Sequence, residues 1–409
     1  MEILNFLSQV SVAIYDGNLQ NVPLTGITKL VANIIEYFSF GGYIAVGILI
    51  FSLILKILPL PLDIYSRVAT KKNALRMERM RPELEKLQKQ YANNKELYSK
   101  KMMALYKKEG YSTFASCLPT IFTLVFFIVV ISAFTQYSTY AKIEVFNQMA
   151  VEYSESVRNN EDVEIRYYDV DEKENVKETY IVVDKVTKEH EAYRVGYYVE
   201  EEKLQSVITK AQNAAADKFL STQKENSFLW VKNIWIEDLP WKKAFVARDI
   251  YENSTFTYSK GCSCSANKIE SSINGGEVYD VLFGSSKLDE VKNQPNGYLI
   301  LVVLSIGSML ISQLIMTKSQ KAQLELQSVD QTGAQTSKMM QWMMPIMFGF
   351  FSFMYTASFS LYLIVSTVFS TLSTIIINKI VEKKFFKAIA KEEQEKQDKR
   401  FSHLKKGSK

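Results

Sequence analysis

The chain of 409 residues is 47% hydrophobic and 23% charged, with a formal net charge of +5. Two histidines (His190, His403) and three cysteines (Cys117, Cys262, Cys264) are too few for a disulfide framework. No HExxH, CxxC, GxGxxG or GxxxxGK[ST] pattern occurs, so zinc hydrolysis, dinucleotide binding and P-loop hydrolysis lack their signatures. The chain does not read as an enzyme, and it implies no cofactor and no resident metal.

Five almost purely apolar runs of about 18 to 25 residues dominate the sequence, each able to cross about 30 Å of hydrocarbon at about 1.5 Å per residue. They predict an all-α polytopic membrane protein: a five-transmembrane-helix bundle with a cytosolic helical hairpin and an extracytosolic α+β insertion. In chain order, residues 1–40 form an extracytosolic N-terminus. They lack the basic start and cleavage site of a secretory signal, and no cysteine suits a lipoprotein anchor. Within 25–39, Ile27, Leu30, Val31, Ile34 and Ile35 share one helical face, which suits a helix lying in the outer interface, the other reading being a simple N-terminal extension of the first span. The first span covers 41–60, with Lys56 its only charge, and 61–114 make the hairpin. The second span is 115–136 and the insertion 137–297. The third span, 298–316, is opened by Pro295-Asn296-Gly297. A loop at 317–338 leads to spans at 339–355 and 359–378, which form a tight transmembrane hairpin. A basic tail, 379–409, ends the chain.

Lysine and arginine orient these spans. Loop 59–117 carries a net +7, loop 317–338 a net +1 and the tail a net +6, against −8 for 141–296. The three positive segments fall on one side, which predicts that they are cytoplasmic and that the N-terminus and insertion lie outside.

In the hairpin, Met77, Met80, Leu84 and Leu87 recur at helical spacing, then Leu97, Met102, Leu105 and Tyr106 on a second arm stopping at Gly110. Pro82 predicts a kink or a restart. The methionines, with Met103 beside them, suit either a core between the arms or an adaptable surface for varied cytosolic partners. In the insertion, strands are predicted at 163–170, 179–183 and 193–199. A helix follows from Glu201 to Phe219, with Leu204, Val207, Ile208 and Ala211 on one face. Phe228, Leu229, Trp230, Trp235 and Trp241 suit a membrane interface. Cys262-Ser-Cys264 has no further ligand to complete a metal site, which leaves free thiols or a local disulfide.

Lys56 is the most informative residue. A charge inside a span costs several kcal/mol unless it reaches water, a partner or the headgroups. Two uses are open: snorkelling along its long stem to the phosphates, or a positive charge in a water-filled cavity facing the cytoplasm. Polar groups that could line such a cavity are Thr120 and Thr123, then Ser305, Ser308, Ser312 and Gln313. A hydroxylated run follows in the last span: Ser366, Thr367, Ser370, Thr371, Ser373 and Thr374. No acidic residue lies within the five runs to pair with Lys56, which suits a charge awaiting an external anion.

The motifs Lys56-Ile-Leu-Pro-Leu-Pro-Leu, Met80-Arg-Pro-Glu-Leu, Met102-Met-Ala-Leu-Tyr-Lys-Lys-Glu-Gly and Cys117-Leu-Pro resemble the YidC/Oxa1/Alb3 membrane protein insertases, in the Gram-positive-like bacterial form. So do Phe228-Leu-Trp-Val-Lys-Asn-Ile-Trp, Met343-Met-Pro-Ile-Met-Phe and Leu361-Tyr-Leu-Ile-Val-Ser. The resemblance covers roughly 25–138 and 225–385 and weakens over 141–225. Lys56 stands where the family carries a groove arginine, keeping its charge and losing its bidentate fork; Leu363 stands where a tryptophan is common. The resemblance implies a bacterial plasma-membrane insertase and chaperone that moves nascent membrane proteins into the bilayer through a positively charged groove. Lys56, Gln313, Thr120, Thr123, Ser312, Ser366 and Ser370 would line that groove, and Met77, Met80, Met102 and Met103 would meet cytosolic partners. Implied partners are nascent membrane proteins, the Sec translocon, the ribosome and signal recognition particle pathway, and the phospholipid bilayer. For the tail, a positive flank, an inner-leaflet contact and a salt-sensitive ribosome contact all fit. Rival readings of the whole chain are a small-solute transporter with Lys56 as its anion site and a non-catalytic assembly factor.

Overall fold

A computed structural model describes residues 9–15, 18–19, 24, 26–111, 114–170, 176–183, 193–252, 255–259, 270–327, 343, 346–347 and 349–380. Cys262 and Cys264, loop 328–338, the start of the fourth span and the tail from 381 lie outside the described residues, as do the side chains of Thr120 and Thr123. The chain forms two compact units, one of residues 1–47, 133–300 and 355–358, the other of 48–132, 301–354 and 359–409.

The first unit holds the mixed fold. Strands β1 (Gln9–Ser11), β3 (Glu164–Val170), β4 (Val176–Val183) and β5 (Tyr193–Glu200) form an antiparallel sheet in the order β1-β5-β3-β4. A second sheet runs β2-β6-β7, from β2 (Asn18–Leu19), β6 (Thr255–Ser259) and β7 (Glu270–Asn274). The three strands expected from alternation are present. The N-terminal strands were not expected: Gln9 pairs with Glu200 and Asn18 with Thr257, so residues 9–11 and 18–19 join the insertion's sheets.

Helices cover the inner face of the larger sheet. In β3 and β5, Ile165, Tyr167, Val195, Tyr197 and Val199 alternate inward, as the two-residue strand period requires. They share a core with Val207, Ala211, Ala215 and Phe219 of α6 (Glu201–Glu225) and with Val278 and Leu282 of α7 (Gly275–Leu282). Helix α1 (Gly26–Tyr37) buries Val31 and Ile35 while Ile27 and Leu30 stay exposed, so the apolar face expected there is divided. Thr28 Oγ1 donates to Gln136 Oε1 at 2.8 Å and Tyr137 Oη to Glu36 Oε1 at 3.2 Å, joining α1 to α5 (Phe114–Arg158). That helix does not stop at Gln136. Its continuation places Ile143, Phe146, Ala150, Tyr153 and Val157 in the core at three- and four-residue spacing, so it changes from uniformly apolar to amphipathic without a break.

The aromatic segment divides as well. Trp235 is buried, its Nε1 donating to Asn226 Oδ1 at 2.9 Å, whereas Leu229 and Trp241 are exposed. Asn296, 0% exposed, holds this segment. Its Nδ2 donates to the carbonyls of Asn233, Ile236 and Glu237, and its Oδ1 accepts from the Asn233 amide at 2.8 Å. Next to it Gly297 is obligatory, because a Cβ there would lie 1.7 Å from Asp238 Oδ1. The carbonyls of Ile236 and Ile234 accept from the amides of Ala357 and Ser358, which satisfies free donors at the start of α9 (Ala357–Ile380).

The second unit contains most of the apolar helices. Helix α2 (Ile44–Ile57) breaks at Leu58-Pro59 and resumes as α3 (Leu60–Gln90), bent by 42° between Ile44–Ile57 and Leu60–Ala69. Pro59 and Pro61 explain the break, since neither supplies an N–H to continue the ladder. Ile300–Thr317 of α8 (Ile300–Gln327) and Ala357–Ile380 are each long and apolar enough to cross a membrane, and the bent pair makes a third if it acts as one span. Helix α4 (Lys95–Glu109) folds back on α3 and ends at Gly110, whose φ of 68° is the left-handed cap its position called for. Met77, Met80, Leu84 and Leu105 form the core between the two arms, with Met102 partly buried against them and Met103 exposed. Helix α3 runs unbroken through Pro82, so this proline marks no restart. Met77, Met80 and Leu84 flank it on the packed face and offset the one missing backbone hydrogen bond.

Candidate functional site

The groove candidates belong to the second unit, and a chain of hydroxyls organises them. On α9, Ser366, Ser370 and Thr374 recur every four residues and so share one face. Thr371 Oγ1 donates to Ser312 Oγ of α8 at 2.8 Å, and Ser366 shares a hydrogen bond with Tyr362. About two turns nearer the start of α8, Ser305 Oγ lies 2.6 Å from Ser352 Oγ, which lies 3.0 Å from Ser360 Oγ. Hydroxyls among apolar helices satisfy one another or a backbone carbonyl in this way, and thereby pin helix to helix. Gln313 donates to Thr317 Oγ1 of its own helix at 3.5 Å, so among the described residues Ser312 and not Gln313 makes the interhelical contact.

Lys56 is half-buried near the end of α2, in the last turn before the break. Ser312, Ser366 and Ser370 are thus brought together with Thr371 and Thr374, while no hydrogen bond joins Lys56 to them among the described residues. The stretch that continues α2 past the break contains Asp63, which acts electrostatically on Lys56 and on Arg67. Asp63 lies beyond the apolar runs, so the runs themselves hold no acidic residue, as their sequence indicates.

Arg67 is the functional candidate that the sequence did not single out. Its Nη2 donates to Thr374 Oγ1 at 2.7 Å, and Thr374 Oγ1 in turn donates to the Ser370 carbonyl at 2.6 Å. Scored as one of 13 basic residues in a loop, Arg67 looks like a topological charge. Only the bend at Leu58-Pro59 and the packing of α3 on α9 give it a buried partner. The hairpin methionines separate into Met77 and Met80 in the core, Met102 partly buried and Met103 exposed, which favours packing for the first two and leaves Met103 as surface. Among the described residues no group of three His, Cys, Asp or Glu side chains could hold a metal.

Apolar helices long enough to span a bilayer, a polar face between two of them and a separate α/β unit define the class: a helical membrane protein with a polar interior. The family described as 60Kd inner membrane protein matches residues 36–180 and 204–384, most of the chain, and the chain belongs to that family, the YidC/Oxa1 family. The match runs through to residue 180 and resumes at 204, so the unmatched interior is shorter than 141–225. Curated relatives are each named as a membrane protein insertase YidC. The chain is 36% identical to that of Clostridium tetani over 95 residues, 23% of this chain and 40% of the relative. It is 34% identical to YidC 1 of Streptococcus pyogenes serotype M6 over 116 residues, 27% of this chain and 41% of the relative. With the Treponema denticola protein it shares 30% over 115 residues, 28% of this chain and 19% of the relative. The chain thus spans between about a fifth and two fifths of the curated relatives it matches.

Proposed function

We propose that this protein is a membrane protein insertase and chaperone that moves nascent membrane proteins from the cytosol into the bilayer, alone or with the Sec translocon. The observation that carries this reading is the hydroxyl face of α8 and α9 with a cation, Arg67, seated on it, in a chain of the YidC/Oxa1 family. A polar segment entering hydrocarbon loses its water and pays several kcal/mol for each unsatisfied group. Hydroxyls that donate and accept replace that water, and Lys56 together with Arg67 favours an acidic tail over a basic one. The substrate's apolar segment then partitions sideways into lipid, with no covalent step. Five spans, an external N-terminus and a cytoplasmic C-terminus belong to this proposal, as does a cytosolic position for the α3–α4 hairpin.

Purified full-length protein reconstituted into liposomes should insert a single-span test protein with an acidic tail. Lys56→Arg should preserve insertion, and Lys56→Glu should impair acidic tails most. Uptake of small anions without insertion would replace the reading by a transporter, and neither activity would leave an assembly factor.

A further inference from the structure

Among the described residues, the non-glycine residues with positive φ are two leucines, Leu229 at 53° and Leu299 at 66°. Side chains are strained there because Cβ crowds the following carbonyl oxygen. Leu299 has a local reason: its amide donates to the Asp238 carbonyl at 3.1 Å as the chain enters α8. Leu229 has none. It is the first central residue of a two-residue turn in which Phe228 and Val231 exchange both backbone hydrogen bonds at 2.9 Å. Tight turns with positive φ at that position ordinarily place Gly there. The leucine side chain gains little from the protein in return, since Leu229 is 74% exposed. Its neighbour shows a second deficit. Trp230 Nε1 is buried with no acceptor among the described residues, although a buried indole N–H ordinarily finds one.

The position of the turn identifies what is missing. The Lys232 amide donates to the Asn296 carbonyl at 3.0 Å, just before α8, and the carbonyls of Ile234 and Ile236 hold the first amides of α9. Both helices are of spanning length, so the turn is tied to the level at which they leave the membrane. Trp241 and Tyr298 are exposed at the same junction. Lys232 is exposed too and forms no ion pair among the described residues. Water would supply an acceptor for the indole and nothing for the leucine, and hydrocarbon alone would do the reverse. The ester-carbonyl layer of a phospholipid leaflet supplies both, with phosphates beside it for a lysine.

We infer that the Leu229-Trp230 turn is a lipid anchor: Leu229 inserts into the glycerol and upper acyl region of the adjoining leaflet, with Lys232 at the phosphates. The contact offsets the strain at Leu229 and fixes the depth of the 226–241 segment, and with it the level at which α8 and α9 begin. The inference goes beyond the insertase reading and does not depend on it. It requires α8 and α9 to span, whichever side the turn occupies.

The test uses the full-length protein in nanodiscs of phosphatidylcholine and phosphatidylglycerol, with Cys117, Cys262 and Cys264 replaced by Ser and a nitroxide attached through Leu229→Cys. Dioxygen concentrates in hydrocarbon and a nickel chelate in water, so the label at 229 should be relaxed more by oxygen. A label attached through Glu202→Cys, on an exposed position of α6, should show the opposite order. The opposite order at 229 would place the turn in water, and protection of 229 from both relaxers would mean that protein covers it; either overturns the assignment. A second measurement needs no label. Leu229→Asn eases the backbone, because Asn tolerates positive φ, so a turn lying in water should exchange its Phe228 and Val231 amide hydrogens no faster in this variant. With a lipid anchor, loss of the apolar side chain should speed that exchange several-fold in nanodiscs despite the easier φ. Exchange that is unchanged or slower would sink the anchor.

Discussion

Replacing Asn296 by Ala removes four hydrogen bonds at once from a site closed to water. Their contributions differ. The carbonyls of Asn233, Ile236 and Glu237 each keep a second partner, the amides of Ile236, Ala357 and Leu239 respectively. Among the described residues the Asn233 backbone amide has only Asn296 Oδ1 as its acceptor. The substitution therefore orphans one buried donor, worth about 1–3 kcal/mol, and weakens three acceptors that remain paired, so the expected loss is about 3–4 kcal/mol. Asn296→Asp should be at least as damaging, since it retains the acceptor and turns a carboxylate oxygen toward three carbonyls. Trp235 lies beside the clamp, its amide bonded to Asn233 Oδ1 at 3.0 Å, and its buried indole reports on the local packing. Urea titration followed by tryptophan emission in detergent measures the change, with Trp230, Trp241 and Trp342 replaced by Phe to isolate the signal. A midpoint unchanged by Asn296→Ala would show that the segment is held by its backbone contacts alone, and the clamp would lose its assigned weight.

Three further outcomes follow from the packing and charge. Met80→Ala should destabilise the α3–α4 hairpin by about 2–4 kcal/mol, as for other buried methionines, whereas Met103→Ala should stay within about 0.5 kcal/mol. Hydrogen exchange over 72–110 reads both, and equal protection in the two variants would contradict the core drawn here. Burial holds the Lys142 ammonium below the usual lysine range, with Glu237 opposing and Lys242 adding to the effect. Between that lowered value and the ordinary one the unfolded chain binds more protons, so stability should rise with pH across this window. Lys142→Met should flatten the rise, and an unaltered slope would remove Lys142 as its source. Asp280 is held below the usual carboxylate range by its hydrogen bonds with Arg248. Its contribution is complete above the ordinary carboxylate value and fades as pH falls through the lowered one, so Arg248→Gln should reduce the loss of stability on acidification. Parallel acid curves for the two proteins would rule that contribution out.

The sequence by itself determined the elements whose cause is local. Apolar runs of spanning length gave the helices at 300–317 and 357–380, alternation gave β3, β4 and β5, and Gly110 marked the end of α4 because a left-handed cap favours a residue without a Cβ. The spacing of Met77, Met80 and Leu84 likewise located the hairpin core, and the YidC/Oxa1 motifs located the family. What escaped depends on distant partners. A three-residue strand such as β1 has no pattern of its own and exists because β5 offers an edge. Helix α5 outruns its apolar segment because a core built from α6 and α7 receives Phe146, Ala150 and Tyr153. Trp235 becomes interior and Trp241 surface according to which indole finds Asn226. Arg67 changes from one loop charge among many to a partner of Thr374 only when the proline break redirects α3 onto α9. Periodicity records which way a side chain points along its own helix; which acceptor waits there is settled by the helix packed against it.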